Sequence, residues 1–320
     1  MIKRRRIAVL AGGWSAERAV SLKSGEAVFR ALDPGKYDVA MYDPRDDLMA
    51  LTKGREEIDL AIILLHGRLG EDGRIQGMLD ILGIPFVGSG LLSSALTMNK
   101  KIAKDIYRGA DLRVPKDVIL KRGDDFFLER LIALLGLPVF IKPVSEGSSI
   151  GISIGRSIED IPECIEKAFK WDNEIMVEEY IEGREVSCCI LGNEVLEPLP
   201  VVEIIPDASY AFFDYEAKYK PGATREICPA RISAALEEEV FSCAIRAHQA
   251  LKCRVWSRTD MIIRDKKPYL LETNTIPGMT ENSLFPLAAR KAGLSLSELL
   301  DRLIALSLDL TGPVFLKSGD

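Results

Sequence analysis

The sequence predicts a mixed architecture, α/β and α+β, in which an N-terminal domain with a parallel sheet precedes an α+β region in two parts. Three observations indicate this. The 320 residues exceed the roughly 150 that one domain usually takes, so two or three domains are expected. Strand-like and helical patterns alternate along the first third of the chain, as in parallel sheets. From Val114-Pro115 onward, predicted strands follow one another with fewer helices between them.

The N-terminal domain is expected over residues 1–101. Gly12-Gly13 and His66-Gly67 each follow a predicted strand. Because ligands bind at the carboxyl ends of parallel strands, a site is expected at these two loops. The predicted strands are residues 7–10, 37–42, 60–65 and 84–87, and the predicted helices are residues 15–32, 75–82 and 91–107.

The two later parts are expected over residues 102–185 and 186–320. The long polar and aromatic segment 207–230 predicts a lid, since long loops in compact domains are usually functional or disordered. The strands predicted for the first part are residues 118–120, 139–142, 152–154 and 174–180, with helices at 126–135 and 161–169. Those predicted for the second, mainly antiparallel, part are residues 186–191, 195–204, 255–263 and 269–273, with helices at 234–251 and 296–308.

Composition disfavours several classes of protein. The 42 basic and 48 acidic residues leave a net charge of −6, whereas nucleic-acid-binding proteins are normally basic. The longest aliphatic run, residues 60–65, is far shorter than the ~20 residues of a membrane span. No C-x-x-C pair occurs among the six cysteines, which favours reduced thiols in a cytoplasmic protein. Two histidines are too few for a histidine-rich metal site.

A candidate phosphate-binding loop follows a predicted strand that ends in Lys142. The segment Glu146-Gly147-Ser148-Ser149-Ile150-Gly151 can present backbone N–H groups and hydroxyls to a phosphate, with the lysine as a cation. Neither a P-loop nor a Rossmann fingerprint is present. An ordinary hairpin turn is the alternative.

A hairpin between the last two predicted strands is the strongest candidate for a metal site. Residues two apart in a strand share a face, so a three-residue loop at 265–267 places Asp260 opposite Glu272. Arg258 and Asn274 then lie on that face, with Leu271 on the other. Two carboxylates and a carboxamide oxygen suit Mg²⁺. The alternative is a solvated polar face on which the arginine pairs with the acids.

In order and spacing, these segments and others resemble the D-alanine–D-alanine ligases of the ATP-grasp superfamily. The resemblance extends over most of the chain. It is carried by GGWSAERAVSLKSG, HGRLGEDGRIQG, IPFVGSG, SALTMNK, IKPVSEGSSIGI, EEYIEGREV, FFDYEAKY, CPA, SRTD and LETNTIPGMTENSL.

The resemblance implies an ATP-grasp fold with ATP between the central and C-terminal sheets. Asp260, Glu272 and Asn274 would bind two Mg²⁺ or Mn²⁺ ions. The residues implied for ATP are Lys100 and Lys142 at the phosphates, Glu146, Gly147 and Ser149 in the covering loop, Glu178, Glu179 and Ile181 at the adenine, and Glu185 at the ribose.

The implied reaction is the ATP-dependent ligation of two D-alanines through an acyl phosphate, for peptidoglycan precursor synthesis. A cytoplasmic homodimer is also implied, with neither nucleic acid nor membrane as partner. For the reaction, the resemblance implies that Glu17 binds the ammonium group of the first D-alanine and forms, with Ser148 and Tyr219, a hydrogen-bonded set that closes the lid. It places His66 near the first substrate and Lys218 at the phosphate and carboxylate. The remaining implied residues are Arg258 and the Gly278 N–H at the oxyanion, and Ser283 and Leu284 at the carboxylate of the second substrate.

The chain departs from the family pattern in places that concern local packing. Lys252-Cys253-Arg254-Val255-Trp256 occupies a segment where the family usually has glycines. Asn99 replaces the usual Asp, and Thr259 replaces Val or Ile.

Two alternative functions stay open. One is a related ligase that takes another second substrate, such as D-serine. The other is a nucleotide-binding homologue that has lost activity, against which the intact metal and oxyanion residues argue.

Overall fold

The computed structural model describes residues 4–147, 150–207 and 222–309, which form three β-sheets with helices packed around them. Ser148, Ser149 and residues 208–221 of the predicted lid lie outside the described residues.

The first sheet is parallel with strand order β2-β1-β3, as predicted. Residues 7–10 of β1 are fully buried, which is typical of a strand covered on both faces. Residues 84–87 form only an isolated bridge between Ala61 and Phe86, so the fourth strand predicted here was wrong. The elements are β1 Arg5–Leu10, α1 Arg18–Ala31, β2 Tyr37–Tyr42, α2 Pro44–Lys53, β3 Leu60–Ile63 and α3 Arg74–Leu82; α2 was not predicted.

The single helix predicted at residues 91–107 is two helices, α4 Leu91–Met98 and α5 Lys100–Gly109. Asn99 separates them with an extended backbone, and its Oδ1 accepts the N–H of Ile102 at 3.0 Å. Asparagine caps a helix as well as aspartate does, so this departure leaves the start of α5 intact.

The second sheet is antiparallel, in the order β4-β7-β5-β6, and carries two helices. Its predicted strands and helices are confirmed with shifts of one or two residues at their ends. The elements are β4 Asp117–Lys121, α6 Leu128–Leu135, β5 Val139–Pro143, β6 Ser153–Gly155, α7 Ile161–Phe169 and β7 Glu174–Glu179.

The third sheet has six antiparallel strands in the order β11-β10-β8-β12-β13, with β9 paired to β8. The predicted strand 195–204 is divided in two, because Pro198 and Pro200 lack the N–H that a continuous ladder needs. Residues 224–227, predicted as part of the lid loop, form the edge strand β11 instead. The elements are β8 Arg184–Gly192, β9 Leu196–Pro198, β10 Val202–Pro206, β11 Thr224–Ile227, α8 Ala234–Ala250, β12 Val255–Arg264, β13 Lys267–Asn274, α9 Leu284–Lys291 and α10 Leu296–Asp309; α9 was not predicted.

One hydrophobic core joins the parallel sheet to the six-stranded sheet. It contains Ile7 and Val28 from the N-terminal part together with Trp256, Phe285 and Leu303. The rings of Trp256 and Phe285 meet edge to face with centroids 5.3 Å apart. This packing fixes the loops at the end of β1 and β3 relative to β12. No helix in the described ranges combines the length and the apolar character that crossing a bilayer requires.

Lys252 occupies a position at the end of α8 where glycine is favoured. Its φ is +56°, and the bonds Lys252 N–H to Gln249 O and Cys253 N–H to His248 O form a Schellman motif. A side chain in this left-handed conformation costs about 1–2 kcal/mol. The lysine departure from the family pattern is therefore a local strain at a helix end.

We predict that Lys252→Gly stabilises the protein. Relief of the left-handed strain, offset by the greater freedom of glycine in the unfolded chain, leaves a gain of roughly 0.5–1 kcal/mol. Thermal unfolding should show a Tm higher by about 1–3 °C. Lys252→Ala is the matched control, because it removes the long side chain but keeps the Cβ. An equal rise in Tm for the alanine variant would contradict this explanation.

Candidate active site

Two adjoining cavities lie where the three sheets meet. The larger, about 580 Å³, lies between strands of the four-stranded and six-stranded sheets. The smaller, about 390 Å³, lies beside the loops that follow β1 and β3. The ligand edge expected for the parallel sheet therefore does border a cavity.

The larger cavity gathers the described residues that were predicted for ATP and part of the predicted metal set. Their individual roles stay predictions, and Ser149 lies outside the described residues. Those that line it are Lys100, Lys142, Glu146, Gly147, Glu178, Glu179, Ile181, Glu185, Asp260 and Glu272.

The smaller cavity gathers the described residues that were predicted for the amino-acid substrates and the oxyanion. Ser148, Lys218 and Tyr219, predicted to act with them, lie outside the described residues. Those that line it are Glu17, His66, Arg258, Glu272, Asn274, Gly278, Ser283 and Leu284.

The wall between the cavities is formed by Lys100, Glu146, Gly147 and Glu272, which line both. The Lys100 ammonium donates a hydrogen bond to the Glu146 carbonyl. A Cβ atom at Gly147 would be in ordinary van der Waals contact with Oε2 of Glu17, at 3.5 Å, so the loop lies beside the predicted first-substrate residue. The phosphate and the amino-acid sites predicted from sequence thus share a border.

The hairpin of β12 and β13 does pair Asp260 with Glu272, but not by the predicted loop. The turn is the two residues Asp265 and Lys266, both with positive φ, and Arg264 pairs with Lys267. A β-bulge after Asp260 then takes up one residue and restores the pairing with Glu272.

The bulge also changes the assignment of one side chain to a face. Leu270 packs with Met261 in the buried core, whereas Leu271 lines the larger cavity. The prediction that Leu271 lies on the face away from the polar residues was wrong, because the simple alternation of a regular strand fails at the bulge.

Asp260 is the centre of a buried hydrogen-bond network. Its carboxylate accepts Ser187 Oγ at 2.6 Å, Arg258 Nε at 2.9 Å and Nη2 at 2.7 Å, and Asn274 Nδ2 at 3.2 Å. Arg258 thus pairs with one of the acids, as the alternative interpretation held, while lining the smaller cavity. The pairing of the arginine with an acid is thus observed, and the metal site stays a prediction.

The residues of this junction fit a divalent cation. Asp260 lies opposite Glu272 on the paired strands, and the Asn274 carboxamide, which donates its N–H to Asp260, keeps its oxygen as a further acceptor. In the parts of the chain that the structure describes, no group of three or more His, Cys, Asp or Glu side chains lies close enough together to hold a metal ion by itself. Mg²⁺ usually takes one or two carboxylates and completes its shell with substrate phosphates, which suits this open set.

Gly278, which was predicted for the oxyanion, lies beside Ser283 and Leu284, which were predicted for the second carboxylate, at the start of α9. Ser283 Oγ accepts the Thr280 N–H at 3.1 Å and precedes Leu284, the first residue of the helix. The N-terminus of a helix favours an anion. At Gly278 a Cβ would lie 2.9 Å from Ser283 Oγ, so a larger residue there would displace the Ser283 hydroxyl.

Burial and neighbouring charges determine the protonation states of two side chains that line the smaller cavity. Burial and the Arg258 charge lower the pKa of His66 to about 4, so its imidazole is neutral at pH 7. Burial and the Glu17 charge raise the pKa of Glu71 to about 8, although the Gly67 N–H donates to it at 2.6 Å. Glu71 is therefore largely neutral at pH 7 beside Glu17.

Two residues near the cavities were not predicted as functional. Glu71 belongs to the segment HGRLGEDG, which was recognised as a site loop, so its position in the motif was the available signal. Lys104 carried no local signal, because its partners are distant in sequence. It pairs with Glu178 at 2.6 Å, and Glu178 pairs with Lys142 at 2.7 Å.

The Thr259 departure is accommodated within the hairpin. Its hydroxyl lies 3.1 Å from Thr273 Oγ1, which accepts the Tyr107 hydroxyl at 2.7 Å. Three buried hydroxyls thus satisfy one another, and the polar substitution leaves no unpaired group.

Comparison with known proteins is consistent with this geometry. The family model described as D-ala D-ala ligase C-terminus matches residues 107–305, and the one described as D-ala D-ala ligase N-terminus matches residues 44–89. The D-alanine–D-alanine ligase of Syntrophobacter fumaroxidans is 52% identical over 303 residues, covering 95% of this chain and 97% of the relative. That of Desulfotalea psychrophila is 53% identical over 309 residues, covering 96% of each.

Solved structures give the same result. The D-alanine–D-alanine ligase of Bacillus anthracis complexed with ATP has a TM-score of 0.82 at 35% identity, covering 96% of this chain and 98% of the other. The VanG D-Ala:D-Ser ligase of Enterococcus faecalis also has a TM-score of 0.82 at 35% identity, with coverage of 95% and 100%. The predicted fold class is confirmed by these neighbours. By fold, identity and coverage, this chain belongs to the D-alanine–D-alanine ligase family of the ATP-grasp superfamily.

Proposed function

We propose that this protein is an ATP-dependent ligase that joins two D-alanines into D-alanyl-D-alanine for peptidoglycan precursor synthesis. The observation that carries the proposal is the wall of Lys100, Glu146 and Glu272 common to both cavities. A nucleotide in the larger cavity can bring its γ-phosphate to this wall. An amino acid in the smaller cavity can bring its carboxylate to the other side.

The first step is attack of the first D-alanine carboxylate on the γ-phosphorus, with loss of ADP. Negative charge concentrates on the transferred group, so positioned cations supply the main stabilisation. Lys100 and Lys142 are the lysines that line the larger cavity. Glu17 offers a carboxylate to the ammonium group of the same substrate, which orients it.

Asp260, Glu272 and Asn274 would hold the Mg²⁺ or Mn²⁺ ions that ATP brings. When bound, such ions neutralise phosphate charge and polarise the phosphoryl group. The protein contributes the fixed position of the carboxylates, which the bonds from Ser187 and Arg258 to Asp260 maintain.

The second step is attack of the second D-alanine amine on the acyl-phosphate carbonyl, with phosphate leaving. An oxyanion forms on that carbonyl, and Arg258 with the Gly278 N–H are the proposed donors. Ser283 and Leu284 at the start of α9 would take the carboxylate of this substrate. The neutral His66 imidazole adds no positive charge that would compete for it.

D-Serine as the second substrate is the alternative that one observation supports. The VanG D-Ala:D-Ser ligase is as similar in fold and identity as the ATP-bound ligase of B. anthracis. The inactive-homologue alternative finds no support, because the described metal and oxyanion residues border the cavities together. We also propose that the protein is a cytoplasmic homodimer. Sedimentation of the purified protein tests the oligomeric state.

The function is tested by ADP release in a coupled assay with and without D-alanine, and with D-serine added to D-alanine. D-alanine-dependent ADP release with D-alanyl-D-alanine as the main product supports the proposal. Release that is independent of D-alanine, or a mixed product that dominates with equimolar D-serine, contradicts it.

We predict that Glu272→Gln lowers kcat by roughly 100-fold or more, because loss of one carboxylate weakens the metal site at the junction. Circular dichroism and Tm should stay close to those of the parent. The control is Glu194→Gln on the exposed turn between β8 and β9, which should keep full activity. Retention of most of kcat by the Glu272 variant at millimolar Mg²⁺ would refute the assignment.

We predict that the second substrate is an amine and not the hydroxyl of D-lactate. The segment Glu216-Ala217-Lys218-Tyr219 resembles the amide-forming ligases, although it lies outside the described residues. An ammonium group must lose a proton before it attacks, so kcat/KM for the second D-alanine should rise from pH 6 toward pH 9.

Product analysis by mass, with D-alanine and D-lactate both supplied at pH 6, is the measurement. Low pH favours D-lactate as the second substrate, because the competing amine of D-alanine is then protonated. D-Alanyl-D-alanine should be the product even at this pH. Glu71→Gln is the control for the pH profile, since Glu71 has a pKa of about 8, and the rise should persist without it. A dominant D-alanyl-D-lactate product would overturn the prediction.

A further inference from the structure

Lys104 supports the wall of the larger cavity from behind, without lining the cavity itself. Its side chain is 1% exposed. Its ammonium contacts the Pro115 carbonyl at 2.8 Å, Asp117 Oδ1 at 2.9 Å and Glu178 Oε1 at 2.6 Å. An ammonium group has three N–H donors, so these three acceptors use its full capacity. Pro115 and Glu178 themselves line the cavity.

Glu178 is shared between two lysines. Its Oε1 faces Lys104, and its Oε2 lies 2.7 Å from Nζ of Lys142, which is the predicted phosphate ligand. Burial opposes ionisation of this carboxyl, yet Lys142 and Lys104 together hold its pKa below the usual range. Without Lys104, the buried Glu178 carboxylate would have its closest described cation in Lys142 and would draw that charge away from a phosphate.

The register of α5 fixes where Lys104 lies. Lys100, Lys104 and Tyr107 recur at a spacing of four and three, so they share one face of the helix. Lys100 reaches the wall between the cavities, and the Tyr107 hydroxyl donates to Thr273 Oγ1 at 2.7 Å, beside Glu272. One face of α5 thus contacts the wall between the cavities through Lys100, Glu178 through Lys104, and strand β13 through Tyr107.

We propose that Lys104 is a positioning residue for the nucleotide, which holds Glu178 so that Lys142 keeps its charge for the phosphates. The proposal rests on the ATP-dependent function proposed above. It assigns to Lys104 an effect on nucleotide affinity that is exerted through Glu178, with no contact to substrate.

The test compares Lys104→Met with the full-length parent enzyme. The KM for ATP, and the dissociation constant of a non-hydrolysable ATP analogue by calorimetry, should each rise roughly tenfold or more. The KM for D-alanine should change by less than about twofold, as for a substitution without contact to that site. An equal rise in both KM values, or no rise for ATP, would overturn the proposal.

Lys101→Met is the matched control on the same helix. Lys101 is half exposed, pairs with Asp105 at 3.7 Å and lines neither cavity. This variant loses the same positive charge three residues earlier on the same helix, and it should keep the parent KM for ATP. A rise there equal to that of Lys104→Met would indicate a general effect of charge and contradict the positioning role.

A double-mutant cycle with Glu178→Gln shows whether Lys104 acts through Glu178. Lys104→Met should weaken binding of the ATP analogue far less in the Glu178→Gln background than in the parent. If Lys104→Met alone fails to fold, Glu178→Gln and the double variant still give the comparison, and equal affinities within about twofold support the proposal. A further tenfold loss in the double variant would refute it.

The binding measurement separates this inference from the proposed function. Parent enzyme that binds the ATP analogue but releases no ADP with D-alanine would disprove the ligase function, while the Lys104 comparison stays readable. Parent enzyme that ligates D-alanine, with unchanged analogue binding in Lys104→Met, would disprove only the role of Lys104.

Discussion

The antiparallel pairing of β12 with β13 is the contact on which both cavities depend. It sets Asp260 across from Glu272, and the bulge at this point sends Leu271 into the larger cavity while Leu270 stays in the core. β12 also pairs with β8 along nine residues, so the hairpin is anchored to the six-stranded sheet, with β13 as its edge strand. A site that must keep two carboxylates close together needs such a rigid support, since their repulsion would separate them on a flexible loop.

Charge compensation determines the rest of the site. Phosphoryl transfer concentrates negative charge, and the chain provides buried cations that are paired with acids. Arg258 is held by Asp260, and Lys142 by Glu178. In each case an acid fixes the position of a cation while that cation borders a cavity. Positions prepared in this way need little reorganisation when the substrate charge develops.

On the loops that follow β1 and β3, burial favours neutral side chains, because it raises the pKa of a carboxyl group and lowers that of an imidazole. Glu17 and Glu71 lie close together away from water, so one of them favours the neutral form. His66 is neutral for the same reason. Glu71 and His66 therefore add little charge at neutral pH to the side that was predicted for the first substrate.

The sequence by itself determined the types of most elements, because their hydrophobic periods are strong. Strand 37–42 and helix 161–169 have the bounds that the periodicity predicts. The prediction that Asp260 lies opposite Glu272 was confirmed, although it rested on a three-residue loop and the pairing is made by a two-residue turn together with a bulge. The family resemblance, carried by motif order, indicated the residues that line the two cavities, while their individual roles stay predictions.

Only the tertiary structure decided how these elements join. The bulge beside Asp260 and the edge strand at residues 224–227 depend on pairing with other strands, and next to the break at Asn99 the Lys100 N–H donates to the distant Val144 carbonyl. Lys104 meets Glu178 across 74 residues of sequence. Local periodicity reports which face of an element is buried, but it holds no information about which distant charge will lie against that face. Such pairs are selected by packing and by the free energy of leaving a buried charge without its counterion.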